Sequence, residues 1–306
     1  PEVLQTRISD LLTSNGFNEL FNNSLTSSKM ETEIGEGFIN PDFHVKMLNA
    51  LSLELDVMRQ TMLFSGLQSL AHNINRKSAD LKCYEFGKTY HKFESGYTEN
   101  RVLSLFLTGR KSTEAWNTSD ENTDFYSLRG ALKTILESLG MTRNVKESSL
   151  EEKPFEFGTK IKIGKKEVAK LGLVSKKTAK SFGIKQEVYF AQINWDALIE
   201  MQNMNTTKFK TLPKTMPSRR DFSLLVDESV KYADIRSIAE QTERKLLKSV
   251  GLFDVYEGDK LPEGKKSYAV SFLLQDETKT LADKQIDKIM QKLQQSFEKN
   301  LNAVLR

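Results

Sequence analysis

Residues 217–226, PSRRDFSLLV, carry the clearest structural pattern in the carboxy-terminal part of the chain. Phe222, Leu224 and Val226 recur in it at every second position. A period of two is typical of a β-strand that buries one face, because successive side chains point to opposite sides. We therefore predict a strand here, with these three side chains pointing into a core and the intervening ones pointing away.

The residues after this strand predict an alternation of helices and strands. Residues 235–250 carry apolar side chains at helical spacing, whereas residues 252–256 and 267–274 alternate like strands. A second helix is predicted from about Asp283, and residues 301–305 can add a closing strand. The order βαββαβ is that of the ferredoxin-like fold, an α+β sandwich in which two helices cover one face of a four-stranded antiparallel sheet. The other face of the sheet is left open.

The alternation also predicts which side chains lie on the open face. Phe253 and Val255 are predicted to point towards the helices, as are Tyr268, Val270, Phe272 and Leu274. The side chains predicted to point away are Asp221, Ser223, Leu225, Asp254, Tyr256, Ser267, Ala269, Ser271 and Leu273. An aromatic ring among small neighbours can form a platform on which unpaired bases stack. Because this set contains one aromatic residue, spacing alone favours the alternative of a plain solvated face.

The residues before position 200 predict a separate domain of helices and antiparallel strands. The predicted helices cover residues 4–12, 63–74 and 125–139, and the predicted strands cover residues 17–25, 81–90, 101–108, 160–163, 167–174 and 188–193. Residues 202–217 are polar and contain two prolines, which is typical of a domain boundary. We expect domains at residues 1–205 and 218–306, joined by a linker at residues 206–217.

The composition limits the class of protein. With 45 basic and 41 acidic residues the net charge is +4, and the two kinds nearly cancel in residues 218–306 as well. Any RNA contact would therefore depend on local placement and stacking rather than on a strongly basic face.

Targeting signals and cysteine usage predict the compartment. The single cysteine, Cys83, cannot form a disulfide within the chain and favours a reducing cytoplasm. No apolar run reaches the ~18 residues of a membrane span, and residues 1–7 do not resemble a signal peptide. We expect a cytoplasmic protein without a membrane partner and, because the chain lacks an initiator Met, a fragment of a longer protein.

Two groups of motifs resemble those of a known family. The carboxy-terminal motifs are PSRRDFSLLV (217–226), LFDVYEG (252–258), LPEGKKS (261–267) and TLAD (280–283). The motifs of the front part are residues 7–27 with NGF at 15–17, LNALSLEL (48–55), MRQTML (58–63) with Gly66-Leu67, and Asn75-Arg76 followed by YEFG (84–87). Together they cover nearly the whole chain and resemble the carboxy-terminal region of bacterial phenylalanyl-tRNA synthetase β chains.

The resemblance implies a fold and a role for each part. The front part would be a class II synthetase-like antiparallel sheet with helices that no longer catalyses, and the last part a ferredoxin-fold anticodon-binding domain. The whole phenylalanine–tRNA ligase would be an (αβ)2 enzyme that esterifies tRNA(Phe). Its α chain would carry the active site with ATP and Mg²⁺, and no cofactor is expected in this chain itself.

The groups that a class II active site needs are missing at the expected positions. An arginine for the α-phosphate would be expected at His91, which cannot form a bidentate fork, and residues 186–217 contain no arginine for the γ-phosphate. The Gly35-Glu36-Gly37 stretch lacks the ending of a phosphate-binding loop. Cys83 and the histidines His44, His72 and His91 share no metal-ligand spacing. We expect neither catalytic residues nor a metal site.

The residues expected to bind the anticodon lie on the open face and at its edge. Tyr256 would stack on a base, Asp254 would accept a hydrogen bond from a base-edge amino or imino group, and Ser267 would bond nearby. Arg219 and Arg220 would pair with phosphate. A structural ion pair of Arg220 with Asp221 or Asp254 is the alternative for that residue.

Other functions remain open at this point. The chain could be a stand-alone RNA-binding or adaptor protein that reuses both folds, or an active class II ligase-like enzyme. The lysines of residues 160–185 predict either a solvated hairpin or a secondary RNA contact. The helix at residues 63–74 and the first strand would pack on other synthetase chains in a scaffolding role, or would fill the core of their own domain.

Overall fold

The computed structural model describes residues 1–50, 52–204, 209, 211–258 and 261–306. The chain divides into two compact units, Pro1–Thr207 and Lys208–Arg306. Residues 206–208 and 210 of the predicted linker lie outside the described residues. The domain boundaries at residues 205 and 218 stay a prediction.

The helices of the first unit include those predicted from apolar spacing. They are α1 (Glu2–Ser14), α2 (Ser28–Ile34), α3 (Leu63–Ile74), α4 (Phe125–Ser138), α5 (Lys176–Ser181) and α6 (Trp195–Met204), with a 3-10 turn at Pro41–Phe43. Gly16 follows α1 with a φ of +81°, a conformation that a side chain would disfavour. At the start of α4 the Asp124 carboxylate accepts a hydrogen bond from the Ser127 N–H at 2.7 Å, which caps the helix.

The strands of the first unit form two sheets. They are β1 (Asn18–Glu19), β2 (Leu25–Thr26), β3 (Val45–Lys46), β4 (Val57–Met58), β5 (Leu81–Phe93), β6 (Gly96–Thr108), β7 (Val145–Leu150), β8 (Phe155–Ile163), β9 (Lys166–Val174) and β10 (Val188–Asn194). The large sheet has the order β1-β5-β6-β10-β9-β8-β7 and is antiparallel except at β1, and β2-β4-β3 form a small sheet. A single strand over residues 17–25 is thus wrong, because β1 and β2 belong to different sheets.

The large sheet is covered on both faces. Alternate residues of β6 serve different cores: Leu103 and Leu105 pack with α1 and α4, whereas Phe106 packs with α3 and α5. On α3 itself, Leu63, Leu67 and Leu70 are fully buried. The interpretation of this helix stripe as a contact surface for another chain is therefore wrong, because it fills the core of its own unit.

A buried ion pair joins the separate segments of the first unit. The Arg59 guanidinium lies 3.0 Å from the Glu85 carboxylate, and both side chains are at most 3% exposed. Arg59 also donates to the carbonyl oxygen of Lys88, and the Asn22 side chain donates to Glu85 at 2.6 Å. Gly87 leaves room for this pair, since a Cβ there would lie 2.3 Å from the guanidinium. The pair thus fixes the chain between β1 and β2 against β5.

The second unit has the predicted βαββαβ order. Its elements are β11 (Ser218–Asp227), α7 (Tyr232–Thr242), β12 (Leu247–Tyr256), β13 (Lys265–Leu274), α8 (Asp283–Leu301) and β14 (Val304–Leu305), and the strands form an antiparallel sheet in the order β12-β13-β11-β14. The helix predicted to reach Val250 ends at Thr242. The reason is that Val250 pairs with Phe272 of β13, and strand pairing overrides the helical spacing.

The core of the second unit lies on one side of its sheet. Tyr268, Val270, Phe272 and Leu274 are buried there with Ile286, Ile289, Leu293 and Phe297 of α8 and with Ile235 and Ala239 of α7. The residues between them on β13, apart from Ser267, are only partly buried. The ferredoxin-like prediction is therefore confirmed in its element order, its sheet and its inward set on β13. Within the described ranges, no helix is both long and apolar enough to cross a bilayer.

We predict that Arg59→Ala lowers the free energy of unfolding of the first unit by about 3–5 kcal/mol, because it leaves a buried carboxylate without its partner. Urea denaturation followed by the fluorescence of Trp195, which is 2% exposed, measures this loss. The matched control is Arg76→Ala at an exposed arginine, which should stay within about 0.5 kcal/mol of the wild type. A loss below about 1 kcal/mol for Arg59→Ala would show that the stability of the first unit does not depend on this ion pair.

Candidate nucleic-acid interface

The residues predicted for RNA binding lie on three neighbouring strands of the second unit. Arg219 and Arg220 belong to β11, Asp254 and Tyr256 to β12, and Ser267 to β13, which runs between the other two. Three loops would not hold them as firmly, because each strand is hydrogen-bonded to its neighbour. The sheet therefore supplies a rigid base for these side chains.

The strand register decides which of them share a face, because directly opposed residues point to the same side of a sheet. The opposed pairs are Asp254 with Ala269, Tyr256 with Ser267, and Arg219 with Leu273. Ala269 and Leu273 alternate with the buried residues of β13 and point away from α7 and α8. The structure thus places Arg219, Asp254, Tyr256 and Ser267 on the same open face, with Tyr256 directly opposite Ser267 and Arg219 further along the sheet.

A β-bulge in β12 changes the position of Phe253. The pairing of β12 with β13 shifts between Leu252 and Asp254, and Phe253 is the extra residue. Phe253 is 56% exposed, and the Arg219 guanidinium lies 5.1 Å from the centroid of its ring. The prediction that Phe253 points towards the helices is wrong, because the bulge breaks the alternation and turns the ring to the side of Arg219.

Arg219 connects the ring of Phe253 to an acidic side chain. Its Nε donates a hydrogen bond to the Asp221 carboxylate at 2.9 Å, and the two side chains are about half exposed. An exposed ion pair of this kind adds little stability. It does hold the planar guanidinium in place over the ring.

The other aromatic ring of the face belongs to Tyr256, which is 39% exposed. The ring leans along the chain towards Gly258, where a Cβ would lie 2.7 Å from the tyrosine hydroxyl oxygen. The neighbouring Ser267 is 8% exposed, and its hydroxyl lies 3.2 Å from that of Ser223. The two serine hydroxyls thus form a small polar surface next to the Tyr256 ring.

Arg220 lies on the opposite face of the sheet. It pairs in register with the buried Phe272, and its guanidinium lies 3.3 Å from the carboxylate of Asp283, the first residue of α8. It also donates to the Ser218 hydroxyl oxygen at 2.9 Å. The alternative partners Asp221 and Asp254 are thus wrong, because alternation along β11 sends Arg219 and Arg220 to opposite sides.

The open face combines two rings with small neighbours and few charges. Gly251, Ala269 and Ser271 add no bulk around the rings, and a Cβ at Gly251 would already lie 2.7 Å from the Ser271 hydroxyl oxygen. Rings on a flat surface can stack on unpaired bases, and a carboxylate beside them can accept hydrogen bonds from base edges. The arrangement therefore suits single-stranded nucleotides.

The exposed ring of Phe253 is the residue that strict alternation missed. The spacing of the apolar residues of β12 indicates the bulge. Val250, Leu252 and Val255 all lie opposite inward residues of β13, but the first two are two positions apart and the last two are three positions apart. A regular strand cannot keep such residues on one face, so the step of three marks a bulge. Val255, although opposite Tyr268, is 45% exposed.

The first unit carries a separate cavity on its large sheet. The cavity has a volume of about 530 Å³, and His91 of β5 lines it. The His91 ring lies nearly parallel to that of Phe93, and within the described residues its buried Nδ1 has no hydrogen-bond partner. Burial lowers the pKa of His91, so the ring is neutral near pH 7 and carries no fixed charge for a phosphate.

Two basic side chains that line this cavity have carboxylate partners. Arg101 donates to the Asp196 carboxylate at 2.6 Å, and Lys170 lies 2.6 Å from Glu152. In the part of the chain that the structure describes, no group of three or more potential ligands could hold a metal ion. Arg101 and Lys170 are therefore already engaged with carboxylates of this chain.

Family models match both units. The model described as "Phenylalanyl tRNA synthetase beta chain CLM domain" matches residues 2–195, and "Ferredoxin-fold anticodon binding domain" matches residues 213–306. Among solved structures, the chain is similar to "Structure of Desulfitobacterium hafniense PylSc, a pyrrolysyl tRNA synthetase", with a TM-score of 0.50, 16% identity, and coverage of 66% of this chain and 68% of that chain. This likeness supports a class II synthetase fold.

Curated relatives share the name "Phenylalanine--tRNA ligase beta subunit". The protein from Bacteroides thetaiotaomicron is 44% identical over 99% of this chain, that from Porphyromonas gingivalis 38% identical over 99%, and that from Clostridium acetobutylicum 32% identical over 98%. The chain spans 38%, 38% and 37% of the length of these relatives. By these matches the chain belongs to the phenylalanyl-tRNA synthetase β-chain family.

Proposed function

We propose that the chain is the part of a phenylalanine–tRNA ligase β subunit that binds the tRNA anticodon and scaffolds the α subunit. The observation that carries the RNA-binding role is the open face, since Tyr256, Asp254 and Arg219 all point to the same side of the sheet. The family match over nearly the whole chain supports the same role and disfavours a stand-alone adaptor.

Each side chain of the open face has a part in the proposed binding. Tyr256 stacks on an unpaired base, and Asp254 accepts a hydrogen bond from an amino or imino group of a base edge. The Ser267 hydroxyl, which lies beside that of Ser223, forms a hydrogen bond with the RNA near Tyr256. Arg219 contacts an RNA phosphate. Arg220 acts from the other face, where it holds the start of α8 through Asp283.

The first unit has a structural role in this proposal. Arg101, which lines the cavity of His91, is paired with Asp196, and we assign aminoacylation with ATP and Mg²⁺ to the α subunit of an (αβ)2 enzyme in the cytoplasm. Phe21 and Leu48 are 99% and 100% exposed, and a partner that covered them would remove two large apolar side chains from water. We assign them to the contact with the α subunit.

We predict that Tyr256→Ala weakens binding of the tRNA(Phe) anticodon stem-loop by about 1–3 kcal/mol, because a stacking surface is lost. Titration of this chain with fluorescently labelled RNA measures the change. The matched control is Tyr126→Ala, at a tyrosine of the first unit that is 75% exposed, and it should bind as the wild type does. Equal affinities for Tyr256→Ala and wild type, with the fold intact, would refute the open-face proposal.

We predict that this chain co-elutes with the α subunit of the matching ligase in size-exclusion chromatography, and that the double variant Phe21→Ser/Leu48→Ser does not. Burying two large apolar side chains stabilises a complex by roughly 1.5–3 kcal/mol each, so their loss is expected to separate the subunits. Trp116→Ser, at a tryptophan that is 97% exposed, is the matched control and should still co-elute. Unchanged co-elution of the double variant would place the contact elsewhere.

A further inference from the structure

We propose that Phe253 and Arg219 form a second base-binding position on the open face, so that the face holds two unpaired nucleotides of one RNA at the same time. This inference rests on the proposed RNA-binding function and adds a position separate from Tyr256. The ligand of the second position is a nucleotide base of either size, because an aromatic ring stacks on any base.

The bulge in β12 creates the position. Leu252 pairs with Val270 on the core side, and Asp254 pairs with Ala269 on the open side, so the extra residue Phe253 shares the open side with Asp254. Its ring is 56% exposed there, on the side that Arg219 occupies. A lone exposed apolar residue is common on protein surfaces. The guanidinium over this ring is the feature that distinguishes it.

Arg219 completes the position with a second planar group. Its guanidinium lies 5.1 Å from the Phe253 ring centroid and is held there by the Nε bond to Asp221. Its terminal N–H groups make no hydrogen bond within the described residues, so they are free to meet a phosphate or a base edge. A guanidinium plane stacks on bases as aromatic rings do, and it adds a cation–π contribution.

The distance along β12 makes the two positions separate. Phe253 and Tyr256 are three residues apart, which corresponds to roughly 10 Å in an extended strand and somewhat less at a bulge. Stacked neighbouring bases lie only ~3.4 Å apart. One continuous stack therefore cannot contact both rings, and two splayed bases can, with the Asp254 carboxylate between them.

The small residues next to the rings allow this approach. Gly251 on β12 and Ala269 and Ser271 on β13 lie on the same face as Asp254, and none of them rises to the height of a ring. The Ser271 hydroxyl fits against Gly251 with no room for a Cβ. Ala269, opposite Asp254, therefore leaves room between the two rings, and Gly251 and Ser271 leave room beyond Phe253, for the sugar–phosphate backbone to cross the sheet.

Abasic substitution in the RNA tests the proposal with the whole chain as the protein. The probes are the tRNA(Phe) anticodon stem-loop and a set of variants, each lacking the base at one loop position. We expect Phe253→Ala to weaken binding of the intact hairpin at least about fivefold. For one particular abasic hairpin, the Phe253→Ala variant and the wild type should bind equally well. Tyr256→Ala should likewise equal the wild type on one abasic hairpin, but the missing base should be at a different loop position.

Two further variants separate stacking from structural effects. Phe253→Tyr keeps a ring and should bind as the wild type does, whereas Arg219→Lys keeps the charge but loses the plane and should weaken binding. Val255→Ala is the matched control, since this exposed residue of the same strand lies opposite Tyr268, on the other face.

The outcomes distinguish this inference from the proposed function. If Phe253→Ala binds all hairpins like the wild type while Tyr256→Ala is weakened, the second position is refuted and the proposed function stands. The second position is also refuted, and the proposed function stands, if Phe253→Ala and Tyr256→Ala both lose their effect on the same abasic hairpin. If the wild-type chain binds no hairpin, the proposed function fails together with the inference.

Discussion

In the second unit, two helices cover one face of the sheet and leave the other face open. The proposed RNA binding depends on this one-sided packing. Burial of Tyr268, Val270, Phe272 and Leu274 against α7 and α8 fixes the register of β13. A slip of one residue would exchange the two faces, so the packing energy of the core also determines which side chains reach solvent. The open face is therefore specified by the hydrophobic core rather than by contacts among its own residues. The proposed RNA recognition would rely on rings and local acceptors, consistent with a net charge of only +4.

The first unit keeps a synthetase-like sheet in which two arginines serve contacts within the chain. Arg59 is bound to the buried Glu85, and Arg101 is bound to Asp196. His91 is neutral because burial lowers its pKa. Cys83 is likewise inert, since burial raises the pKa of its thiol to about 11. The sheet thus retains its architecture, while the proposed catalysis lies with the α subunit.

Periodicity predicted the elements whose apolar pattern and burial agree, such as α3, β6 and β13, because one interaction dominates in each. It failed where a second interaction competes. Residues 17–25 read as one strand, but Asn22 leaves the sheet to bond Glu85, and β12 begins at Leu247 because pairing with β13 outweighs helical spacing. Of the candidate site, Asp254, Tyr256, Ser267 and Arg219 could be placed on one face from alternation alone. Phe253 could not be placed without recognising the bulge, and Arg220 was assigned to RNA although its register turns it towards Asp283.

Photo-cross-linking tests most directly whether unpaired nucleotides occupy the open face. Anticodon stem-loops of tRNA(Phe) with 4-thiouridine at successive loop positions would be irradiated with the wild-type chain, and the cross-linked peptides identified by mass spectrometry. If unpaired nucleotides bind to the open face, we expect cross-links within β12 and β13, at peptides that contain Phe253, Tyr256 or Ala269. Cross-links confined to α7 and α8, or to the lysine-rich residues 160–185 of the first unit, would contradict it.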